Sequence, residues 1–196
     1  MNTIEEITKV LSNELSETRF KHTLGVAETA KILAEKWGAD ADAAYLAGLV
    51  HDCAKEIPVE QMVELLEKNG YCCDEMERES SNILHAPLGS IIAKEKFGVE
   101  DEDVLNAVRY HTLGRAQMSL LEKIIYVADF IEPGRKYKEV QFVRDLAYVD
   151  IDKAVLKEAD IVIKYIIDKG GVLHTESVRT RNSFLIKIKK EEANAK

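Results

Sequence analysis

A chain of 196 residues has room for one domain with a substantial core and is short for two. Hydrophobic residues make up 46%, as in ordinary water-soluble proteins, and apolar runs such as Ala43–Val50 are far too short to span a bilayer. The net charge of −8 permits a local phosphate pocket but argues against a long nucleic acid partner, whose affinity rests on neutralised phosphates.

The opening MNTIEEITKVLSNELSE carries acids every few residues and lacks the basic start and apolar centre of a signal peptide. Neither secretion nor a membrane is indicated, so the cytoplasm is the expected location. The three cysteines, Cys53, Cys72 and Cys73, form no plausible disulfide framework and no C-x-x-C pair for structural zinc. Cys53 reads as a small core residue.

Helical patterning runs through the chain. Ile4, Ile7, Val10, Leu11 and Leu15 form an amphipathic stripe. A second helix is expected over Glu17–Trp37, stopped by Gly38. Asp40 or Asp42 can cap the next, Ala41–Lys55, and a fourth runs from Pro58, a first-turn residue, to Gly70. Beyond a polar joint at Tyr71–Asn82, Pro87 opens a helix that ends at Gly98. Asp101 caps another, reaching about Tyr110, and Ser119 caps Leu120–Ile131 ahead of Pro133-Gly134. Two more are expected over Lys138–Tyr148 and Ile151–Lys169. Thr175 can cap a last helix, whose end, Lys187–Lys196, is expected to be frayed and solvated. No alternating run or hairpin signal calls for a sheet. The expectation is one all-α domain of about nine to ten helices.

Polar residues in apolar surroundings carry the functional signal. The segment AYLAGLVHDCAK, Ala44–Lys55, is apolar nearly all round yet holds His51-Asp52. A buried carboxylate is normally paired, protonated or bound to metal. Asp129 poses the same problem, flanked by Ile124, Ile125, Val127, Ala128, Phe130 and Ile131. His22, His85 and His111 lie within or at the edge of other apolar helices. Singly, a helix-end histidine is more often a satisfied core or capping residue than a ligand. The ordered series His22, His51, Asp52, His85, His111 and Asp129 shifts the balance toward metal. Imidazole with carboxylate suits Mn, Fe, Co, Ni or Zn.

Lys55, a helical turn after His51, is a candidate to meet phosphate charge, although a basic residue at a helix C-terminus is also ordinary. Arg135, just past ADFIEP, is a second candidate. Thr112 and Gly114 offer a hydroxyl and a flexible backbone near phosphate, though a simple turn explains Gly114 equally well. Glu28, Glu132 and Asp145 could each orient a histidine, and the sequence does not choose among them.

The segments RFKHTLGVAETA, AGLVHDCAK, LHAPLGS, AVRYHTLG and LEKIIYVADFIEPGR, with the late Arg181-Asn182, resemble the YqeK group of HD-domain phosphohydrolases over roughly Arg19 to Asn182. The resemblance implies an HD-type helical bundle, with a core over about 17–135 and C-terminal helices 138–196 completing a nucleotide pocket. It implies bacterial enzymes that split diadenosine tetraphosphate symmetrically into two ADP. It implies two divalent metal ions, iron foremost, with Mn, Co, Ni or Zn also compatible. By the same resemblance His22, His51, Asp52 and Asp129 hold one metal, and His85 and His111 the other, with Asp52 shared. Asp52, Lys55 and Arg135 would serve catalysis. Substrate contacts would come from His22, Lys55, His85, His111, Thr112, Gly114 and Arg135, and from the segment Gly170–Asn182 through His174, Thr175, Arg179 and Asn182. For His174 alone, a surface or capping role reads better. The expected partners are the nucleotide substrate and its ADP product, without nucleic acid or membrane, and a homodimer stays open. Competing readings are another phosphoester hydrolysis on the same metals (nucleotidase, dNTPase or cyclic-nucleotide phosphodiesterase), a non-catalytic nucleotide-binding regulator, and a di-iron oxygenase.

Overall fold

A computed structural model of the chain describes residues 2–79 and 81–194. Among them eleven α-helices and no strand occur: α1 (Ile4–Glu14), α2 (Glu17–Trp37), α3 (Ala41–Val50), α4 (Val59–Lys68), α5 (Glu75–Glu79), α6 (Ser81–Glu95), α7 (Glu102–Tyr110), α8 (Leu120–Ile131), α9 (Val140–Ala147), α10 (Ile151–Asp168) and α11 (Thr175–Asn194). No helix of the described residues is long and apolar enough to cross a membrane.

Local chemistry sets most boundaries. The Asp40 side chain, rather than Asp42, accepts from the backbone at the start of α3, and Asp101 does the same for α7. Ser119 and Glu122 form a reciprocal capping box on α8. Gly38 ends α2 at φ +74°, a conformation only glycine adopts without strain.

Helix α3 is buried along most of its length and packs on α2 so closely that a methyl group on Gly48 would sit 2.7 Å from the Ala27 Cα. Helix α8 is buried through Leu121, Ile124, Ile125, Val127, Ala128 and Ile131, and it touches α2, α3, α7, α9 and α10. These two apolar helices bring the anomalous acids into the interior.

Six expectations need correction. Helix α3 ends at Val50 instead of Lys55, and the next amides bond three residues back, Cys53 to Val50 and Lys55 to Asp52. This tighter winding turns the His51-Asp52 pair inward together. The joint at 71–82 contains α5, fixed by reciprocal bonds between Asp74 and Glu77. Pro58 stands at the N-cap of α4, one position before the first turn. Pro87 lies inside α6 rather than opening it, so His85 is helical; the proline withholds a donor from Ile83, one turn earlier. The last helix is ordered through Lys187, which pairs with Asp152, and Ile188, which is buried. Thr175 is its first residue, and its amide at Glu176 is capped by the His174 ring, 3.1 Å away. Residues 195–196 of the expected frayed end lie outside the described residues.

Candidate metal centre

Six side chains from five helical segments meet at Asp52. Its Oδ2 lies 3.3 Å from His51 Nε2 and 3.7 Å from His22 Nε2. Its Oδ1 lies 3.1 Å from His85 Nε2 and 3.7 Å from His111 Nε2. Asp129 Oδ1 joins from α8, 3.0 Å from His22 Nε2. His51, Asp52, His85 and His111 are buried, whereas the Asp129 side chain retains 25% exposure and opens the cluster to solvent.

The donor set fits a cation on the evidence of its own hydrogen bonds. His51 Nδ1 sits 2.7 Å from the Gly48 carbonyl, and His111 Nδ1 sits 2.7 Å from the Val108 carbonyl. A carbonyl oxygen only accepts, so each Nδ1 carries the proton and each neutral ring presents an Nε2 lone pair. The His51 lone pair points at a carboxylate, acceptor against acceptor, while that of His111 lies 3.0 Å from His85 Nε2 and 3.7 Å from Asp52 Oδ1. His51 Nε2 is fully buried without any hydrogen-bond partner. His22 repeats the pattern, with Nδ1 3.2 Å from the Glu132 carboxylate and Nε2 turned to Asp129. Lone pairs facing carboxylates in a dry interior are what a divalent ion satisfies. Ligand atoms come close enough to share an ion in two groups that have His51 in common, His22, His51 and Asp129, and His51, Asp52 and His111; the one free lone pair of His51 can serve either but not both.

Electrostatics follow from the same crowding. Burial alone would raise the Asp52 carboxyl, but with no cation between them His51, and after it His111 and His85, hold it well below the carboxylate range by taking up a second proton in the place a metal would occupy. Burial likewise opposes ionisation of Asp129, and His22, His51 and Arg135 more than reverse that effect. His85 is pushed down to about 4 by burial, despite Asp52. Neutral imidazole and ionised carboxylate are the states that ligate metal.

Cations ring the open side. Lys55 Nζ stands 3.3 Å from His85 Nδ1, brought there by the turn after α3, and burial lowers its basicity. Arg135 bonds Asp129 Oδ1 at 2.6 Å, and its own carbonyl is gripped by Arg144 at 3.0 Å. Arg19, quoted within RFKH but given no role from sequence, bonds Asp52 Oδ2 at 2.7 Å with 28% of its side chain exposed. Its position one turn before His22 on α2 was the available signal. Of the three acids that sequence left open, the structure selects Glu132. It also accepts from Gly134 N at 2.5 Å, while Glu28 and Asp145 are exposed elsewhere.

The expected substrate residues divide. Thr112, Gly114 and His174 line a cavity of about 360 Å³ with Pro87, Arg109 and Arg115. Gly114 has φ +65°, and Thr180 fills the space a side chain would need. Thr175, Arg179 and Asn182 are exposed and do not join that cavity; Arg179 pairs with Glu176, and Asn182 accepts from Arg181. His174, besides capping α11, approaches Asp74 to 3.4 Å. Cys53 is buried against the Gly89 carbonyl with its thiol pushed up to about 12, as an unreactive core residue should be.

An all-helical bundle carrying an adjacent, inward His-Asp pair amid further histidines and a distant acid defines a metal-dependent hydrolase of the HD type. Residues 19–134 match the HD domain family, and the chain belongs to it. It is 38% identical over 178 residues to the symmetrical bis(5'-nucleosyl)-tetraphosphatase of Bacillus subtilis (strain 168), covering 91% of this chain and 95% of the relative. The Halalkalibacterium halodurans protein of the same name is 38% identical over 181 residues, covering 92% and 96%. A Clostridium acetobutylicum crystal structure, of a predicted HD superfamily hydrolase involved in NAD metabolism, superimposes with a TM-score of 0.93 at 47% identity. It covers 95% of this chain and 99% of that one.

Proposed function

We propose that this protein is a symmetrical bis(5'-nucleosyl)-tetraphosphatase, hydrolysing diadenosine tetraphosphate to two ADP. The observation that carries the metal-dependent reading is the buried Nε2 lone pair of His51, turned onto Asp52 without a hydrogen-bond partner. The symmetrical cleavage rests on relatives that match nearly the whole chain and bear that activity in their names.

Two divalent ions, iron foremost, would complete the site. His22, His51, Asp52 and Asp129 would hold one, and His85 and His111 with Asp52 the other. When bound, such ions activate water at neutral pH and offset charge on phosphoryl oxygens. The protein groups do the rest. Glu132 and the carbonyls of Gly48 and Val108 fix the tautomer and aim of His22, His51 and His111. Lys55, Arg135 and Arg19, on the open face, bind the tetraphosphate and stabilise charge growing on the departing ADP. Because the substrate is symmetric, water reaching either central phosphorus breaks its bond to the bridging oxygen and leaves the same two products. Thr112, Gly114 and His174 are proposed to receive one nucleoside in the 360 Å³ cavity. In this reading residues 1–196 act as one unit, with the HD core over about 17–135 and helices 138–196 completing the pocket. The cytoplasm is the proposed location.

Chromatography of products from diadenosine tetraphosphate tests the assignment. Two ADP per substrate is the expected result; AMP with ATP, or free phosphate, would overturn it.

A further inference from the structure

A second opening, larger than the first, has no role so far. It is a groove of about 800 Å³ between the α8–α9 connection and α10, lined by Phe130, Tyr137, Lys157, Ile161, Lys164 and Tyr165, among others. Its aromatic surface is open to solvent: Tyr137 is 43% exposed and Tyr165 is 62% exposed. The Phe130 and Tyr137 rings lie 5.3 Å apart at one end.

The groove begins where the metal centre ends. Phe130 directly follows Asp129. The Arg135 guanidinium bonds Asp129 Oδ1 on one side and lies 5.7 Å from the Tyr137 ring on the other. The smaller cavity shares no lining residue with the groove and draws instead on Thr112, which follows His111, and on Pro87, two residues after His85. A substrate with a nucleoside at each end of four phosphates needs room for two nucleosides. The two openings provide two such places.

We propose that this groove binds the second nucleoside of the substrate, its purine stacked against Tyr165 and Tyr137, with Arg135 joining base site to phosphate site. The volume lies within the range of small-molecule sites, roughly 300–1,000 Å³. Exposed aromatic faces take any base by its π-surface. The rim mixes Lys157 and Lys164 with Asp160 and Asp168, which suits a polar, neutral nucleoside better than the apolar face of a second copy. The inference rests on the proposed reaction, since a mononucleotide would need only one opening.

Calorimetry with the methylene-bridged, non-hydrolysable analogue of diadenosine tetraphosphate tests it without turnover. Tyr165→Ala, at an exposed position, should weaken binding about tenfold, the loss expected for one stacked base. Tyr165→Phe should restore it. Inorganic tetraphosphate, which has no base, should bind wild type and both variants alike. Equal analogue affinity in wild type and Tyr165→Ala would overturn the proposal, as would a parallel loss of inorganic tetraphosphate binding. So would a change of oligomeric state without a change in analogue affinity. A wild type that binds the analogue but releases no ADP from diadenosine tetraphosphate would strike the proposed reaction instead.

Discussion

Gly25 should control the metal centre from a distance, because it makes room for the carboxylate that holds His22. A methyl group at Gly25 would lie 2.8 Å from Glu132 Oε2, against an ordinary contact of 3.4 Å or more. The same oxygen is pinned by Gly134 N, which donates to it at 2.5 Å, and a methyl on Gly134 would also collide with the carboxylate. Retreat by about 0.6 Å would stretch the 3.2 Å contact with His22 Nδ1 beyond hydrogen-bond range. Losing such an orienting partner costs about 10- to 100-fold in metal affinity. The same substitution in Gly25→Ala replaces a helix-interior glycine of α2, a gain of up to about 1 kcal/mol in the metal-free fold. The two effects therefore have opposite signs. Chelator-competition titration with Mn or Fe should show weakened binding, and thermal unfolding of the metal-free protein should show equal or higher Tm. Unchanged metal affinity would refute the role assigned to Glu132, and a metal-free variant much less stable than wild type would refute the local accounting.

Lys55→Ala should keep its metal and lose about 10²-fold in kcat/KM for diadenosine tetraphosphate, the scale of one charge that stabilises a transition state; steady-state kinetics with metal analysis decides. Asp152 is held below its ordinary carboxylate value of 3.8, with burial opposed by Lys123 and Lys187. A lowered carboxyl adds stability above that value and loses it as pH falls through the folded value. Asp152→Asn should thus be less stable by about 1.5 kcal/mol at pH 7, with the gap narrowing below pH 3.8 in urea unfolding. Gly48→Ala should lose about 1–3 kcal/mol, since its methyl meets the Ala27 backbone at 2.7 Å and neither helix can yield cheaply; a Tm equal to wild type would contradict that packing.

Some helix boundaries were legible from a single residue. Gly38 and Ser119 act through their own backbone or side chain, and α2 and α8 have the limits read from them. The end of α3 was not legible, because the change of winding at His51 is set by partners remote in sequence: Asp52 lies against His22, His85 and Arg19. The short α5 could have been found, since Asp74 and Glu77 have capping-box spacing. Pro87 misled because a proline usually starts a helix, and here α6 already had its first turn when it met the ring.

The ligand series was readable because buried acids and imidazoles are costly one by one, so their recurrence on apolar helices demands a common partner. Their orienting groups were harder. Carbonyls of Gly48 and Val108 leave no trace in side-chain chemistry, and Glu132 differs from Glu28 only in where it folds. The nucleotide segment was the least readable. Thr175, Arg179 and Asn182 are polar enough for a ligand, yet their turns of α11 face solvent, whereas the aromatic groove draws on residues 35 positions apart, from Phe130 to Tyr165.

Metal content per chain, measured on anaerobically prepared, iron-loaded wild type and on Asp52→Asn, bears most directly on the whole account. Wild type should retain two equivalents, and the variant should lose metal while keeping the helical content of wild type. A variant that holds the same metal as wild type, or a wild type that takes up none, would contradict it.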